Sequence, residues 1–481
     1  MITHAFAPRA LLACGVSFFS QLASGQSVYL DKVAQIKIAD ATEIVCYDQT
    51  TQRAVVTIGE KPEVAVIAID ENGEPSVERV ISFADVGAAV NSVAASHGLF
   101  AAAVESFDHT DSGSVVFFDV YGDRVRVSRV GSMPDMVIFS PGGSLLLVAN
   151  EGEPDAASAI DPIGSVSIID INNEYAVDTI PLGSDRPSHN QTWFTMPGRL
   201  APELVEPEYI AVSSDSTRAY VLCQENNAVF ELDLAKRVIT DQHWLGIVEW
   251  GGSGKSIDIV SGDGTLQSGS ESVVSLRQPD AILAFETTNG LRLVTANEGD
   301  PRDVWGSDGA AKHNGVQVVK SSAESGLKPV LFGSRGITLF DDRMVQLDDS
   351  GDVLEKSIAA LHRAGEIDDE TISAIDSRSG KRGIEPESLA TGVVDGRRFM
   401  FVGLERAGMI ATFEYDEHSD SLTHISTFPV GVMAGQEPAM VSPEGLAFVG
   451  LDLHSYKLPF LIVCDELHGT VSILSVSLDN D

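Results

Sequence analysis

One pattern of apolar and polar positions recurs seven times along the chain. An acidic residue, usually after Pro, opens an apolar run; a turn follows; a second apolar run ends in a small residue, one variable residue and Glu. These runs are short and bounded by turn residues, which is typical of buried strands. The clearest copies begin at Pro134-Asp135, Pro207-Glu208, Pro279-Asp280, Pro386-Glu387 and Pro443-Glu444.

Two degenerate copies precede these five. One begins at Asn91-Ser92 and reaches Glu105, and the other begins at Thr42-Glu43 and lacks a clear closing Glu. After the closing Glu a loop leads to a third strand, as in residues 164–170, and a weaker fourth strand follows in residues 176–181. Four antiparallel strands in each of seven units predict an all-β fold, a seven-bladed β-propeller.

Segments that do not fit the repeat are predicted to be long loop insertions at about residues 184–207, 246–278 and 300–383. Within the last of these, residues 353–361 have helical spacing, so we expect a small helix there. The seventh unit ends after its third strand, whereas residues 28–38 form a strand ahead of the first unit. We therefore expect this N-terminal strand to complete the seventh blade and close the ring.

The N-terminus has the features of a secretory signal peptide. Residues 1–25 contain one Arg and no acidic residue, then an apolar stretch and small residues before the expected cleavage point. Residues 26–481 would then form one domain, secreted or periplasmic, and no later stretch is apolar enough to span a bilayer. Only Cys46, Cys223 and Cys464 remain, so we do not expect disulfides to frame the fold.

The chain is strongly acidic, with 32 Lys and Arg against 70 Asp and Glu in 481 residues and a net charge of -38. This charge excludes nucleic-acid binding through phosphate contacts and attachment to anionic membranes. In a propeller the first strand of a blade starts at the channel mouth to which the second returns, so the opening and closing acids should meet there. The opening set comprises Glu43, Asp135, Glu208, Asp280, Glu387 and Glu444, and the closing set comprises Glu105, Glu151, Glu225, Glu298, Glu405 and Glu466.

Converging carboxylates repel one another unless backbone N–H groups, basic side chains or a hard cation compensate them. One interpretation is that the acids only cap strand N–H groups and tie blades together. The other is a divalent cation site, because Asn-Glu-Gly-Glu (150–153) and Asn-Glu-Gly-Asp (297–300) place oxygen donors beside flexible Gly. Oxygen ligands at adjustable distances suit Ca²⁺, with Mg²⁺ as the second choice. The predicted metal ligands are Glu151, Glu225, Glu298, Asp300, Glu387, Glu405, Glu444 and Glu466.

Basic residues are grouped in the longest insertion, where residues 376–383 supply three cations just before Glu385-Pro386-Glu387. From this region we predict an anion-binding set of Arg302, Arg335 and Arg378, which would hold a phosphate bridged to the metal. The alternative is that these cations neutralise neighbouring glutamates.

Several motifs, among them Asn-Glu-Gly-Glu (150–153), Asn-Glu-Gly-Asp (297–300) and Glu385-Pro386-Glu387, occur in this chain. Together they resemble the choice-of-anchor I family, and the similarity covers nearly the whole mature chain in order. The resemblance implies an exported propeller, related to the mesenchyme-specific cell-surface glycoprotein linked to mineral deposition and to atypical bacterial alkaline phosphatases. No sorting or membrane tail is recognisable after residue 475, so we expect this chain to differ from the anchored members. The motifs include Ser140-Pro141-Gly142-Gly143, Ala149-Asn150-Glu151-Gly152-Glu153-Pro154, Ala296-Asn297-Glu298-Gly299-Asp300, and Asp376-Ser377-Arg378-Ser379 followed by Glu385-Pro386-Glu387.

Two functions of different class follow from these observations. In the first, the exported module binds Ca²⁺ on its acidic channel face and uses its loops for a partner, a surface or mineral. In the second, a metal-dependent, alkaline phosphatase-like phosphoesterase uses the cation to polarise a phosphoryl oxygen and activate water. No Gly-x-Ser-x-Gly or His-Glu-x-x-His motif occurs, so serine-hydrolase and zincin mechanisms are excluded, and no catalytic residue is assigned.

Overall fold

A computed structural model gives the structure of most of the chain. The predicted signal peptide, Arg302 and most of the expected insertion at 184–207 lie outside the described residues. No helix within the described part of the chain has the length and apolar character needed to cross a membrane. The structure describes residues 28–59, 61–155, 160–183, 205–251, 255–266, 272–301, 303–304, 307–308, 310–320, 328–431 and 441–478.

Four antiparallel sheets account for the first half of the described chain, and each is built from consecutive strands. They follow a strand that belongs to the last sheet, β1 (Val28–Lys37). Sheet 1 contains β2 (Thr42–Asp48), β3 (Arg53–Ile58), β4 (Glu63–Ile69) and β5 (Pro75–Ser82). Sheet 2 contains β6 (Val90–Ser96), β7 (Leu99–Val104), β8 (Ser112–Asp119) and β9 (Arg124–Ser132). Sheet 3 contains β10 (Pro134–Phe139), β11 (Leu145–Asn150), β12 (Ser165–Asp170) and β13 (Ala176–Pro181), and sheet 4 contains β14 (Tyr209–Val212), β15 (Arg218–Cys223), β16 (Ala228–Asp233) and β17 (Val238–Trp244).

Short strands lie in the connections before and within the fifth sheet. Three of them form one small sheet and four others form two hairpins. They are β18 (Ile247–Glu249), β19 (Val274–Leu276), β22 (Asp303–Val304), β23 (Ser307–Asp308), β24 (Ala310–His313), β25 (Val316–Val319) and β26 (Val330–Leu331).

Three further four-stranded sheets complete the fold. β1 pairs antiparallel with the last strand, from Val28 opposite Leu478 to Lys37 opposite Thr470. Sheet 5 contains β20 (Ala281–Thr287), β21 (Gly290–Ala296), β27 (Ile337–Asp341) and β28 (Gln346–Asp349). Sheet 6 contains β29 (Pro386–Val394), β30 (Arg397–Leu404), β31 (Met409–Asp416) and β32 (Ser421–Pro429), and sheet 7 contains β33 (Pro443–Val449), β34 (Phe460–Asp465), β35 (Thr470–Leu478) and β1.

The second strand of each sheet is buried on both faces, because neighbouring sheets pack face to face. In β11 every residue from Leu146 to Asn150 is buried, whereas the outer strand β13 has no buried residue. Side chains from adjacent sheets share one core, as where Val55 and Val66 of sheet 1 lie in one cluster with Phe100 and Phe118 of sheet 2. The first strand of each sheet contacts the first strand of the next sheet, and the first strand of sheet 7 contacts that of sheet 1. In order these strands are β2, β6, β10, β14, β20, β29 and β33.

The span 300–383, expected to be one insertion, is divided by the outer half of sheet 5. β27 and β28 lie inside it, so the extra chain falls in two pieces, before β27 and after β28. The predicted helix is confirmed as α1 (Val353–Ala364), and a second helix, α2 (Asp369–Asp376), follows it. The sequence pattern missed α2, which is short and begins where Asp368 accepts a hydrogen bond from the Thr371 N–H at 2.8 Å.

The three described cysteines, Cys46, Cys223 and Cys464, form no disulfide. Cys223 ends the second strand of sheet 4 and Cys464 is the penultimate residue of the second strand of sheet 7, and both side chains are fully buried. They therefore serve as small packing residues in the crowded part of each sheet.

Candidate metal centre

One cavity of about 380 Å³ collects carboxylates from sheets 3 to 7. All eight predicted metal ligands line it, together with acids that the sequence analysis placed in the opening set. Two arginines that were not among the predicted anion-binding residues also line it. Its lining comprises Asp135, Glu151, Glu153, Glu208, Gln224, Glu225, Asp280, Glu298, Asp300, Arg382, Glu387, Glu405, Arg406, Glu444 and Glu466.

Each of these five sheets contributes one opening and one closing acid, as the repeat predicts. Glu43 and Glu105, from sheets 1 and 2, are not among the residues that line the cavity. Glu43 and Glu105 belong to the two degenerate copies of the repeat. The copies with the weakest sequence pattern are therefore also those whose acids do not line the cavity.

A repeated backbone link brings the opening and closing acids together. The closing residue donates its N–H to the carbonyl of the residue that precedes the opening Pro: Glu151 to Met133 at 2.8 Å, and Glu405 to Glu385 at 2.9 Å. These preceding residues take a left-handed backbone conformation that turns the chain toward the cavity. They are Met133 (φ 43°), Gln278 (φ 43°) and Glu385 (φ 51°).

The Asn of each Asn-Glu-Gly motif is a structural residue rather than a cavity ligand. Asn150 and Asn297 are fully buried. Asn150 Nδ2 donates to Ser167 Oγ at 3.0 Å, and Asn297 Nδ2 donates to Thr338 Oγ1 at 2.8 Å. Both side chains therefore tie the second strand of a sheet to the third, which leaves the carboxylates as the oxygen donors of these motifs.

Gly299 is required by a close approach between two loops. Its φ is +97°, and a Cβ at this position would lie 2.2 Å from the backbone N of Gly333. Only Gly fits, because a side chain would strike the backbone of the loop before β27. This contact holds Glu298 and Asp300 at the cavity wall.

Glu387, Glu405 and Glu444 form one of two compact carboxylate groups, which share Glu405. One oxygen from each lies within 4.8 Å of the other two. A single Ca²⁺ lies about 2.3–2.6 Å from each ligand, so two of its ligands are at most about 5 Å apart. The Oε2 atom of Glu387 is buried and accepts no hydrogen bond from the described residues. The donor set and spacing of this group fit one divalent cation.

A second group, Glu298, Glu385 and Glu405, has the same spacing but is already neutralised by arginine. Arg382 Nη1 lies 3.0 Å from Glu298 Oε1, and Arg382 Nη2 lies 3.3 Å from Glu385 Oε2. Arg406 Nη1 lies 2.8 Å from Glu405 Oε1. Within the cavity, positive charge is therefore concentrated at this group.

Arg335 and Arg378, two of the predicted anion-binding residues, do not line the cavity, and the third, Arg302, lies outside the described residues. Arg335 is 2% exposed, and its Nη1 lies 2.7 Å from Glu355 Oε1 of helix α1. Arg378 Nε donates to Glu385 Oε1 at 2.9 Å. These contacts correspond to the alternative in which the cations neutralise glutamates. The sequence analysis did not select Arg382 and Arg406, the two arginines that line the cavity. Two sequence features point to them: Arg382 lies in the basic segment 376–383, and Arg406 directly follows the closing Glu405.

Burial raises the pKa of several carboxylates that line the cavity. It raises the pKa of Asp135 to about 7 and the pKa values of Asp280 and Glu444 to about 8, and neighbouring carboxylates add to each shift. Burial also raises the pKa of Glu387 well above its usual range. A bound cation would supply the missing opposite charge and favour the ionised forms.

Comparison with known proteins places these features in a family. The family model described as the choice-of-anchor I domain matches residues 43–326 and 316–418. The mesenchyme-specific cell surface glycoprotein of Strongylocentrotus purpuratus is 29% identical over an alignment that covers 47% of this chain. That alignment covers 37% of the sea-urchin protein, so the chain matches well under two thirds of its curated relative.

Solved structures with the same fold are distant in sequence. Hydrazine synthase from Kuenenia stuttgartiensis has a TM-score of 0.52 at 10% identity, covering 92% of this chain and 98% of that one. The WD40 domain of Toxoplasma gondii coronin has a TM-score of 0.50 at 10% identity, covering 95% and 87%. WD40 domains are β-propellers, and these similarities concern the fold alone.

Proposed function

The chain belongs to the choice-of-anchor I domain family, and on that premise we propose that it is an exported surface module that binds a divalent cation. The cation we favour is Ca²⁺, held in the carboxylate cavity. We propose that the module acts at a surface or on a mineral, and the name of its sea-urchin relative, a cell surface glycoprotein, supports the surface.

We also infer that the seven sheets form a closed seven-bladed ring. Support comes from the contacts between successive first strands, which return from β33 to β2. β1 completes sheet 7 by pairing with β35, so both ends of the described chain meet in one blade. In such a ring all the first strands surround one channel, and the cavity would be its acidic mouth.

The observation that carries the cation proposal is the convergence of twelve carboxylates and two arginines in one cavity. Without a further cation this arrangement leaves many buried acids uncompensated, which costs free energy. Glu387, Glu405 and Glu444 would hold the ion. A site that offers many carboxylate oxygens suits Ca²⁺, which takes six to eight oxygen ligands, better than Mg²⁺, which retains several waters.

Calorimetric titration of the purified protein with Ca²⁺ tests this proposal. We expect saturable binding and a rise in melting temperature, because a ligand bound only to the folded state stabilises it. Glu444→Gln should weaken binding by about ten-fold or more, since it removes one charged ligand from the compact group.

The matched control is Glu71→Gln, which removes an exposed carboxylate in the turn between β4 and β5. It should bind Ca²⁺ as the wild type does. If no divalent ion changes the melting temperature, or if both variants bind equally well, the cation site is wrong.

A second candidate function is phosphoester hydrolysis, favoured by Arg382 and Arg406 beside the carboxylates of the same cavity. Arginine can hold a phosphate bidentately next to a bound cation. The discriminating assay measures hydrolysis of phosphomonoesters and diesters with and without chelator. Turnover lost in Arg382→Gln with folding intact would favour the enzyme, whereas cation binding without turnover favours the surface module.

A further inference from the structure

The outer strand β9 is basic in a chain whose net charge is -38. It carries Arg124, Arg126 and Arg129 and no acidic residue. By contrast, the outer strands β13, β17 and β28 each carry Asp and no Lys or Arg. Two further outer strands are mixed in charge: β1 carries Lys32 and Lys37 with Asp31, and β5 carries Arg79 with Glu78. The edge of sheet 2 is therefore distinguished by three arginines without an acid.

Two of these arginines are available to a partner. Arg124 contacts Asp85, but Arg126 and Arg129 are exposed and make no ion pair with the described part of the chain. Along this strand β9 pairs only with β8 among the described strands. Its outer edge can therefore offer backbone N–H and C=O groups to an additional strand.

Exposed apolar side chains lie on the same strand as these arginines, in the turn before it and on β5. Tyr121, in the turn before β9, is 68% exposed, and Val125 and Val127 of β9 are 52% and 43% exposed. The neighbouring strand β5 adds Val77 and Val80, which are also exposed. Four of the large apolar side chains that the structure exposes thus lie on β5 and β9, and Tyr121 lies in the turn before β9; together we call them the β5–β9 patch.

Arg79 joins the two strands of this patch. Its Nη1 donates to the Tyr121 carbonyl at 3.0 Å, and its guanidinium lies 5.6 Å from the centre of the Tyr121 ring. Arg124 makes a similar link, because its Nη2 donates to the Ser82 carbonyl at 3.3 Å. The patch is therefore one continuous surface rather than two separate edges.

We propose that the β5–β9 patch docks an acidic, extended polypeptide segment of a partner protein, which adds as a strand to the free edge of β9. Charge complementarity selects an acidic segment, and alternating valines offer contacts to its apolar side chains. Symmetric pairing of two copies through β9 is disfavoured, because it would set arginine against arginine. The proposal concerns the rim of the fold and is independent of the cation site.

The test measures binding of a fluorescent peptide with alternating Glu and Val to the purified full chain. We expect saturable binding, no binding of the matched Lys and Val peptide, and about ten-fold weaker binding to Arg126→Glu/Arg129→Glu. The control Lys236→Glu/Lys457→Glu makes the same charge change at exposed positions of other sheets and should bind as the wild type. Circular dichroism and melting temperature verify that both double variants fold.

Strand addition is separated from simple charge attraction by an N-methylated form of the acidic peptide, which lacks backbone donors. Loss of binding on N-methylation supports the proposal, and unchanged binding overturns it. Three other results would overturn the proposal as well. The peptide could bind equally to both double variants, or the protein could bind anionic vesicles but not the peptide. The wild type could also self-associate in a way that Arg126→Glu/Arg129→Glu abolishes.

Discussion

Arg335 is a buried residue that ties the extra chain around sheet 5 to the propeller. Its guanidinium contacts Glu355 and donates from Nη2 to the Ser379 carbonyl at 2.6 Å. Gly383 packs so closely that a Cβ there would lie 2.5 Å from Arg335 Nε. The side chain thus holds helix α1 and the basic segment in one arrangement beside the cavity.

We predict that Arg335→Met destabilises the protein by about 3–5 kcal/mol, because it leaves Glu355 as an uncompensated buried charge. Urea unfolding followed by fluorescence measures this loss. Arg335→Met/Glu355→Leu should regain much of the stability, since both members of the pair become apolar. Equal stability of the single variant and the wild type would contradict the role of this pair.

At the residue scale, the sequence predicts the carboxylates of the cavity better than its arginines. The acids occupy repeat positions, so one geometric rule places Asp135, Glu225 and Glu466 together. Arg335 and Arg382 lie in insertions that have no repeat register, and only the folded loops decide which one faces the cavity. The left-handed conformation of Met133 before Pro134 was equally hidden, because it arises from the link to Glu151.

At the scale of elements, β1 connects the beginning of the described chain to its end. Leu30 is 5% exposed and lies opposite Val476 of β35. With Val28 it joins a core that includes Phe401 of sheet 6 and Leu474 of sheet 7. The strand is therefore the outer strand of sheet 7, with Val28 and Leu30 packed into the core between sheets 6 and 7.

We predict that Leu30→Ala lowers the free energy of unfolding by about 2–5 kcal/mol, through lost apolar burial and a new cavity. Denaturant unfolding should keep a single transition with an unchanged slope, because β1 belongs to the cooperative unit. Val238→Ala, at a 44% exposed position of the outer strand β17, is the control and should cost about 0.5 kcal/mol or less. A separate early transition for β1 would contradict this prediction.

The strand pattern predicts elements wherever two apolar strands follow a Pro and an acid. It fails in sheet 5, where β21 and β27 are separated by about forty residues of irregular chain and short hairpins. The third strand then loses its position relative to the closing Glu298, so spacing alone does not identify it. The helix α1 was predictable because its apolar residues follow the 3.6-residue period over three turns.

At the scale of the whole molecule, the cavity couples folding stability to pH and to cations. The pKa values of Asp135, Asp280 and Glu444 are raised by burial to about 7, 8 and 8, so the folded state holds protons that the unfolded chain releases. Such groups stabilise the fold fully below their unfolded pKa values, and this contribution is lost as pH rises toward about 8. Asp420 behaves oppositely: the Arg292 guanidinium lowers its pKa to about 2, and its contribution is lost below about pH 4.

We therefore predict that, with chelator present, the melting temperature is highest near pH 4–5 and falls by several degrees toward pH 8. Ca²⁺ should remove most of this fall, because the bound ion favours ionised carboxylates. Scanning calorimetry from pH 4 to 8 with chelator or with Ca²⁺ measures both curves. A melting temperature that rises with pH in chelator would contradict the prediction.

The residues that line the cavity come from widely separated parts of the chain. The first acid of the lining, Asp135, lies in sheet 3, and the last, Glu466, follows a strand of sheet 7 that ends only a few residues before the last described strand. A chain that is still being synthesised, or that ends before Glu466, lacks part of this set. High-affinity cation binding would thus report that a molecule has reached its finished state, and a protease or chaperone would meet a cation-free chain until that moment.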